Sequence, residues 1–354
     1  MYFLFFLFLV FFLFSSPCLS TRTAPFPSSK PINPTSYHKI RGYTWHEFQK
    51  FVDAGRGNKI NGISELKKYF HRFGYLKIDS LNFTDLFDEH LEHALIKYQE
   101  KLGLLVNGKL DEYTVSQIIS PRCGVSDSAP KLFMHATRNY AFFTGKPRWS
   151  RSIPITLTYA FSPDYVINSL SMSEIKDAFQ RAFNHWASVI PVSFWESNDY
   201  GFADIKIGFY KGDHGDGEPF DGLLGVLAHA FSPEIGRFHL DAAETWAVDF
   251  EREKSDVAID LESVATHEIG HLLGLAHTSV QEAVMYPSLK PREKKVDLKI
   301  DDIKGIQALY GSNPNFSYQD LLESDTSTNS GVSLRKAQLT WYSFILVLIL
   351  RMSM

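Results

Sequence analysis

His267, Glu268, His271 and His277 fall within one eleven-residue stretch, HEIGHLLGLAH, and that spacing has few structural solutions. On an α-helix, residues four apart share a face, so His267 and His271 can hold one Zn²⁺ between them. Gly274 accepts the backbone conformation that ends a helix and turns the chain back, which delivers His277 as a third nitrogen. Three protein ligands leave a fourth position open, the arrangement of a catalytic rather than a structural zinc. Glu268 adjoins a ligand but is better placed as a base toward water at that position. The stretch points to a metallohydrolase. The bland alternative, an amphipathic helix with a chance pair of histidines, leaves Gly274 and His277 unexplained.

Eight residues beyond His277 comes Met285, in Val284-Met285-Tyr286-Pro287. An extended zinc motif followed by a methionine turn resembles the metzincin clan of proteases. Cysteine usage narrows the resemblance. Of two cysteines, Cys18 lies in an N-terminal targeting segment, which leaves Cys123 as a single unpaired thiol. A buried inert thiol is the plain account. Its neighbours, Pro121-Arg122-Cys123-Gly124-Val125-Ser126-Asp127, instead resemble the cysteine switch of the matrixins, the matrix metalloproteinases. That resemblance implies a zymogen in which the Cys123 thiolate fills the open zinc position, with Arg122 and Asp127 paired to shape the loop. The chain departs from the family at Ser126, where Pro is usual, and at Thr278, where Ser is usual.

Residues 203–246 are crowded with Asp, Gly and His. A solvated polar loop is the simplest account, but so long a loop in a compact domain needs something to order it, and metals suit these side chains. The region resembles the matrixin loop for structural zinc and calcium. The resemblance implies a structural zinc on His214, Asp216, His229 and His239. It implies calcium on Asp221, Gly222, Leu224, Val226, Asp241 and Glu244, several through backbone carbonyls. Asp204 matches part of a second calcium site. There Arg237 stands where the family has an acidic ligand, and a cation would repel Ca²⁺, so weak binding is expected.

The ends of the chain carry sorting signals. Residues 2–14 are almost wholly Phe, Leu and Val, which reads as a signal peptide over 1–20. Near the other end, Asn329-Ser330-Gly331, a polar spacer and an apolar run from Trp341 to Leu350 match a GPI-anchor signal, with the tail removed near 329–331. Both apolar runs are short for a transmembrane helix. Asn82 and Asn315 lie in glycosylation sequons. No paired-basic run marks the activation region at 128–150, so a separate activating protease or stepwise autolysis is expected. Net charge is −4 with no basic stripe, which argues against nucleic-acid binding.

Between the ends the pattern changes once. Residues 42–119 read as helices, with stripes at Leu66, Phe70 and Phe73 and at Leu91, Ala94, Leu95 and Tyr98. Asp111 is placed to cap a third helix. Three small helices resemble a matrixin propeptide, itself similar to peptidoglycan-binding modules. From Ile153 strands appear, at 155–161, 192–194 and 205–209, with another expected at Trp246-Ala247-Val248. A helix follows a Ser171–Glu174 capping box, the zinc motif occupies a helix from Val264 to Leu273, and a last helix begins near Asp301. The expected architecture is α+β: a propeptide over 21–147, a catalytic domain over 148–312 with a twisted mixed five-stranded sheet and three helices, and a linker and tail over 313–354.

The resemblance covers most of the chain and is to the plant-type matrixins without a hemopexin domain. It implies a monomeric zinc endopeptidase, secreted or anchored to the outer face of the plasma membrane, that cleaves extracellular polypeptides. Glu268 is then the general base, and Met285 is an apolar floor beneath the histidines. Val226, Leu227 and Ala228 form the strand that pairs with substrate, while Tyr286 and Pro287 wall the pocket for an apolar residue after the cleaved bond. Two rivals stand beside this reading. One is a cell-wall glycan-binding surface protein with a structural zinc; the other is a different metallohydrolase, such as an amidase.

Overall fold

The computed structural model describes residues 45–77, 83–127 and 140–317. The expected signal peptide, most of the activation region, Asn82, Asn329 and the apolar tail lie outside these residues. Among the described residues no helix is long and apolar enough to cross a membrane.

The N-terminal module is built around apolar stripes. A 3₁₀ helix spans Trp45–Phe51, followed by α1 (Ile63–Arg72), α2 (Glu89–Lys101) and α3 (Glu112–Ile119). Leu66, Phe70, Leu91, Leu95 and Tyr98 are buried together in one core. Caps fix the helix starts: the Asp88 carboxylate accepts from Leu91 N, and Asp111 accepts from Thr114 N, which satisfies orphan N–H groups of the first turn. The same core takes in Phe220, Val226 and Tyr286 from the C-terminal part. The module is thereby packed onto the rest of the protein.

The C-terminal part holds one large sheet. Its strands are β3 (Ile155–Phe161), β4 (Val192–Glu196), β5 (Ile205–Tyr210), β6 (Val226–Ala230) and β7 (Arg237–Asp241). A sixth, β1 (Arg122–Cys123), comes from the cysteine loop. The order is β1-β6-β7-β5-β3-β4; only β6 and β7 run antiparallel to one another. The expected count of five strands from 155 onward is met, but with β7 in the sheet in place of the strand expected at 246–248, and the loop adds itself to the open edge. Two short sheets stand apart. One pairs β2 (Ala141–Phe142) with β10 (Leu275–Ala276); the other pairs β8 (Trp246–Ala247) with β9 (Ile259–Asp260). The strand expected at 246–248 is therefore real but outside the main sheet.

Three helices complete this part: α4 (Met172–Ala187), α5 (Leu261–Leu272) and α6 (Ile300–Tyr310). The Ser171–Glu174 capping box starts α4. All twelve residues of α5 are buried, so this helix runs through the interior rather than along the surface. It is locked to α4 by the Trp186 indole N–H, which donates to Thr266 O at 2.8 Å. Glu262 adds to the lock by accepting from Arg181 at 2.8 Å. Asp260 caps its N-terminus at Ser263 N. At its other end Gly274 has φ +109, and a Cβ there would collide with Pro147 O. Only glycine makes that turn, which sends the chain into β10 and on to His277.

Candidate active site

The three imidazoles of the HEIGHLLGLAH stretch meet at their Nε2 atoms. His267–His271, His271–His277 and His267–His277 are 3.1, 3.1 and 3.2 Å apart. Each Nδ1 faces an oxygen that can only accept: Val284 O at 2.6 Å, Leu275 O at 2.8 Å and Asp127 Oδ1 at 2.6 Å. Each Nδ1 must therefore carry the proton. Burial lowers the pKa of all three rings, most for His267 and His271, which keeps them neutral. Three Nε2 lone pairs then converge with no hydrogen between them, an arrangement that only a cation relieves. Ligand edges in a tetrahedral Zn–N site are about 3.3 Å, close to these spacings.

Cys123 stands at the fourth corner. Its Sγ is 3.4 Å from His271 Nε2, and the four groups together could hold one ion. Backbone bonds on both sides fix it there. Arg122 N donates to Gly225 O at 3.0 Å, and Gly124 N donates to Ala228 O at 2.8 Å. On the opposite rim Cys123 N donates to Pro287 O at 2.9 Å. The loop thus fills the groove between Val226-Leu227-Ala228 and Tyr286-Pro287. Glu268 lies beside the thiol, and burial pushes its carboxyl up to about 8. Burial and the Glu268 carboxylate push the Cys123 thiol well up.

Arg122 and Asp127 pair at 2.7 Å with both side chains fully buried. The guanidinium also lies over the Phe73 ring, 3.8 Å from its centroid. Asp127 does more than the sequence indicated. Its Oδ2 also accepts from the Tyr75 hydroxyl at 2.7 Å, and its Oδ1 accepts from His277 Nδ1. A carboxylate behind a ligating imidazole orients the ring and raises its basicity. Lys101, from α2, donates to His277 O at 3.0 Å. Neither Tyr75 nor Lys101 was foreseen, because only the packing of the helical module brings them here.

Met285 packs against α5 at Gly270. A Cβ on Gly270 would collide with its Sδ, so the small residue inside the zinc motif is what admits the methionine.

The second cluster gathers His214, Asp216, His229 and His239. Asp216 Oδ2 lies 2.9, 2.7 and 2.8 Å from His214 Nε2, His229 Nε2 and His239 Nδ1. Burial lowers His229 and His239 to about 4, so both rings are neutral and able to offer a lone pair to a cation. Three nitrogens and one carboxylate suit a closed structural zinc. Next to it Asp221, Asp241 and Glu244 crowd together. Burial raises all three, Asp241 to about 6 and Glu244 well up with Asp241 adding to it. Their oxygens accept from the backbone N–H groups of Val226, Gly222 and Leu224. This concentration of buried acid fits a hard divalent cation.

Asp204 is engaged differently. Its oxygens accept from Arg151 at 3.1 Å and from Thr158 N and Oγ1 at 2.8 and 2.9 Å. Arg151 also pairs with Glu234 at 3.0 Å. The cation beside Asp204 is therefore Arg151, whereas Arg237 lies over the Phe231 ring. Asn315 is exposed.

Comparison with known proteins follows the same division. Residues 148–311 match the family model described as matrixin, and residues 60–118 match the putative peptidoglycan binding domain. The chain is 50% identical over 333 residues to metalloendoproteinase 1-MMP of Arabidopsis thaliana, covering 93% of this chain and 91% of that protein. It is 58% identical over 269 residues to metalloendoproteinase 4-MMP of the same plant, covering 75% and 78%. The chain belongs to the matrixin family. To human matrix metalloproteinase-20 this matrixin is 44% identical over 217 residues, or 60% of the chain and 41% of that protein. It is a zinc metalloendopeptidase, and the cofactors of its family are zinc and calcium.

Proposed function

We propose that this matrixin is made as a latent, secreted zymogen whose propeptide, residues 21–147, silences a catalytic domain at 148–312. His267, His271 and His277 hold the catalytic zinc, and Cys123 blocks its fourth position until activation. The observation that carries this reading is the convergence of three neutral imidazoles and one thiol, with every Nδ1 proton committed outward. The helices over 60–118 serve as the scaffold of the inhibitory loop. A separate protease, or autolysis, removes them. The mature enzyme acts on extracellular polypeptides, tethered by a GPI anchor attached near Asn329, with glycans at Asn82 and Asn315. The structural zinc sits on His214, Asp216, His229 and His239. Calcium sits on Asp221, Gly222, Leu224, Val226, Asp241 and Glu244.

Bound zinc supplies Lewis acidity, which polarises the scissile carbonyl and makes water a nucleophile near neutral pH. The protein's residues do the rest. Once the loop leaves, the backbone of Val226–Ala228 is free to pair with an extended substrate. Glu268 takes a proton from the attacking water and returns it to the leaving amine, help of roughly 10²–10⁴ in rate. Met285 keeps the underside of the imidazoles apolar and rigid.

Glu268→Ala in the processed enzyme tests the central assignment. Peptide cleavage should fall at least 10²-fold while metal analysis still finds zinc. Turnover near wild type would remove Glu268 from this role.

A further inference from the structure

The large sheet has one covered face and one open face. On the covered face Tyr159 and Phe194 pack on Phe183 of α4, and Phe161 meets Phe179. Successive residues of a strand point to opposite sides, so Thr158 and its register partner Trp195 point the other way. On the same face Lys206 of β5 partners Ala160, and Arg237 of β7 partners Lys206. Trp195 is 67% exposed. The loop between β4 and β5 is held to this face by Lys206 Nζ, which donates to Gly201 O at 2.8 Å, and by the bonds of Asp204 to Thr158. Phe202 in that loop is 90% exposed. Arg151 bonds both Asp204 and Glu234, which brings Ile153, also 90% exposed, and the exposed Ile235 to the border of the same patch.

Large apolar side chains gathered in the open with a polar rim mark an interaction surface. Two further observations point to what covers it. The first is charge. Lys206 bonds a carbonyl and Arg237 lies over the Phe231 ring, so neither cation is cancelled by a carboxylate among the described residues. The carboxylates near the patch are already taken, Asp204 and Glu234 by Arg151 and Glu196 by Lys176. The second is where the chain leaves the fold. Asn313 N donates to Val189 O at 3.0 Å, and the Asn313 side chain donates to Ala187 O at 2.8 Å. That contact lies just before β4, and Trp195 is about 10 Å along the strand from its start. The dozen residues from Ser317 to Asn329 reach about 40 Å when fully extended. A lipid attached near Asn329 therefore keeps this face within reach of the bilayer.

We infer that the open face of β4, β3 and β5 rests on the lipid bilayer. Trp195, Phe202 and Ile153 enter the interfacial layer, while Lys206 and Arg237 meet lipid phosphates at its margin. Tryptophan and phenylalanine suit the headgroup boundary, and basic side chains beside them add electrostatic attraction. This rests on the anchored reading above and gives the anchored chain an orientation. The groove filled by the cysteine loop runs along β6, four strand spacings or roughly 19 Å from β4. An enzyme lying on this face thus keeps its cleft clear of the lipid.

The test takes the chain released from cell membranes by phosphatidylinositol-specific phospholipase C. It is sedimented with vesicles of phosphatidylcholine, alone or mixed with phosphatidylserine. Wild type should sediment with both, and more with the anionic vesicles. The double variant Trp195→Ser, Phe202→Ser should lower partition onto either vesicle about tenfold or more, the loss of two buried aromatic side chains. Lys206→Gln should lower the extra partition onto anionic vesicles about fivefold and leave the rest. The apolar replacement Trp195→Phe, Phe202→Leu should stay within about threefold of wild type, which separates lost membrane contact from a folding defect. Wild type left in the supernatant, or a serine double variant that sediments like wild type, would overturn the inference. So would light scattering that shows a dimer of the wild type dissolved by the serine variant, because the face would then cover a second copy. No release by the phospholipase would overturn the anchor instead. Chain collected from the medium then goes through the same assay, and its sedimentation decides on the face separately.

Discussion

Asp127 does three things with two oxygens. It neutralises a fully buried Arg122, accepts from Tyr75 and holds the ring of His277. These partners keep its carboxyl far below the usual range despite burial. Removing the charge leaves a buried guanidinium uncompensated, which typically costs about 3–5 kcal/mol. Asp127→Asn should therefore loosen the cysteine loop. The expected outcome is an unprocessed chain that cleaves peptides without a thiol reagent and unfolds at lower urea. Latency equal to wild type would mean that Cys123 and its backbone bonds suffice alone. The Arg122–Asp127 pair was legible from seven consecutive residues. The bond from His277 was not, because 150 positions separate it from Asp127.

At the scale of single elements, α5 carries the chemistry and is confined on every side. Gly270 faces Met285 so closely that one methyl group has no room. Gly270→Ala should destabilise the protein by about 1–3 kcal/mol, as overpacking of a dense core does. It should also lower zinc retention, because Met285 must move away from the helix that carries His267 and His271. Thermal unfolding and metal content of the same sample measure both. Glu262 locks α5 to α4. Burial alone would raise its carboxyl, but His185, Arg181 and Lys294 outweigh that and hold it at about 2. A depressed carboxylate contributes stability above its unfolded pKa of about 4.3 and loses it as pH falls through the folded value. Urea titrations should show Glu262→Gln less stable than wild type at pH 6 by about 2 kcal/mol, with the gap closing between about pH 4.5 and 2. A gap that persists at low pH would assign the effect to packing.

Across the whole molecule, propeptide and catalytic part share a core and a sheet. Phe220, Val226 and Tyr286 are buried among the aromatic rings of the helical module, and β1 extends the large sheet at its β6 edge. The His267–His271–His277 cluster is therefore approached from both sides, by Cys123 and Asp127 of the loop and by the elements after residue 148. Under the zymogen reading proposed above, processing would remove Cys123 as a ligand and Asp127 as the partner of His277. Partners of that second kind typically influence metal affinity by 10–100-fold. Zinc should pass to a chelator at least tenfold faster from the processed enzyme than from the zymogen, followed by a colorimetric zinc indicator. Equal rates would show that the loop covers the site without adding to its hold on the metal.

The sequence alone determined the chemistry and the class of fold. Helical periodicity set His267 and His271 on one face, Gly274 permitted the turn to His277, and resemblance to a family pointed to the Cys123 loop and to the candidate ligands from His214 to Glu244. Those features are local, or repeat with a period that the backbone dictates. What tertiary structure decided lies between segments distant in the chain. It set Asp127 behind His277, gave Asp204 to Arg151 rather than leaving it open, and brought Phe202 to the same open face of the sheet as Trp195. No periodicity encodes such meetings, because they depend on how the helical module, the sheet and the segment after the third histidine pack in space.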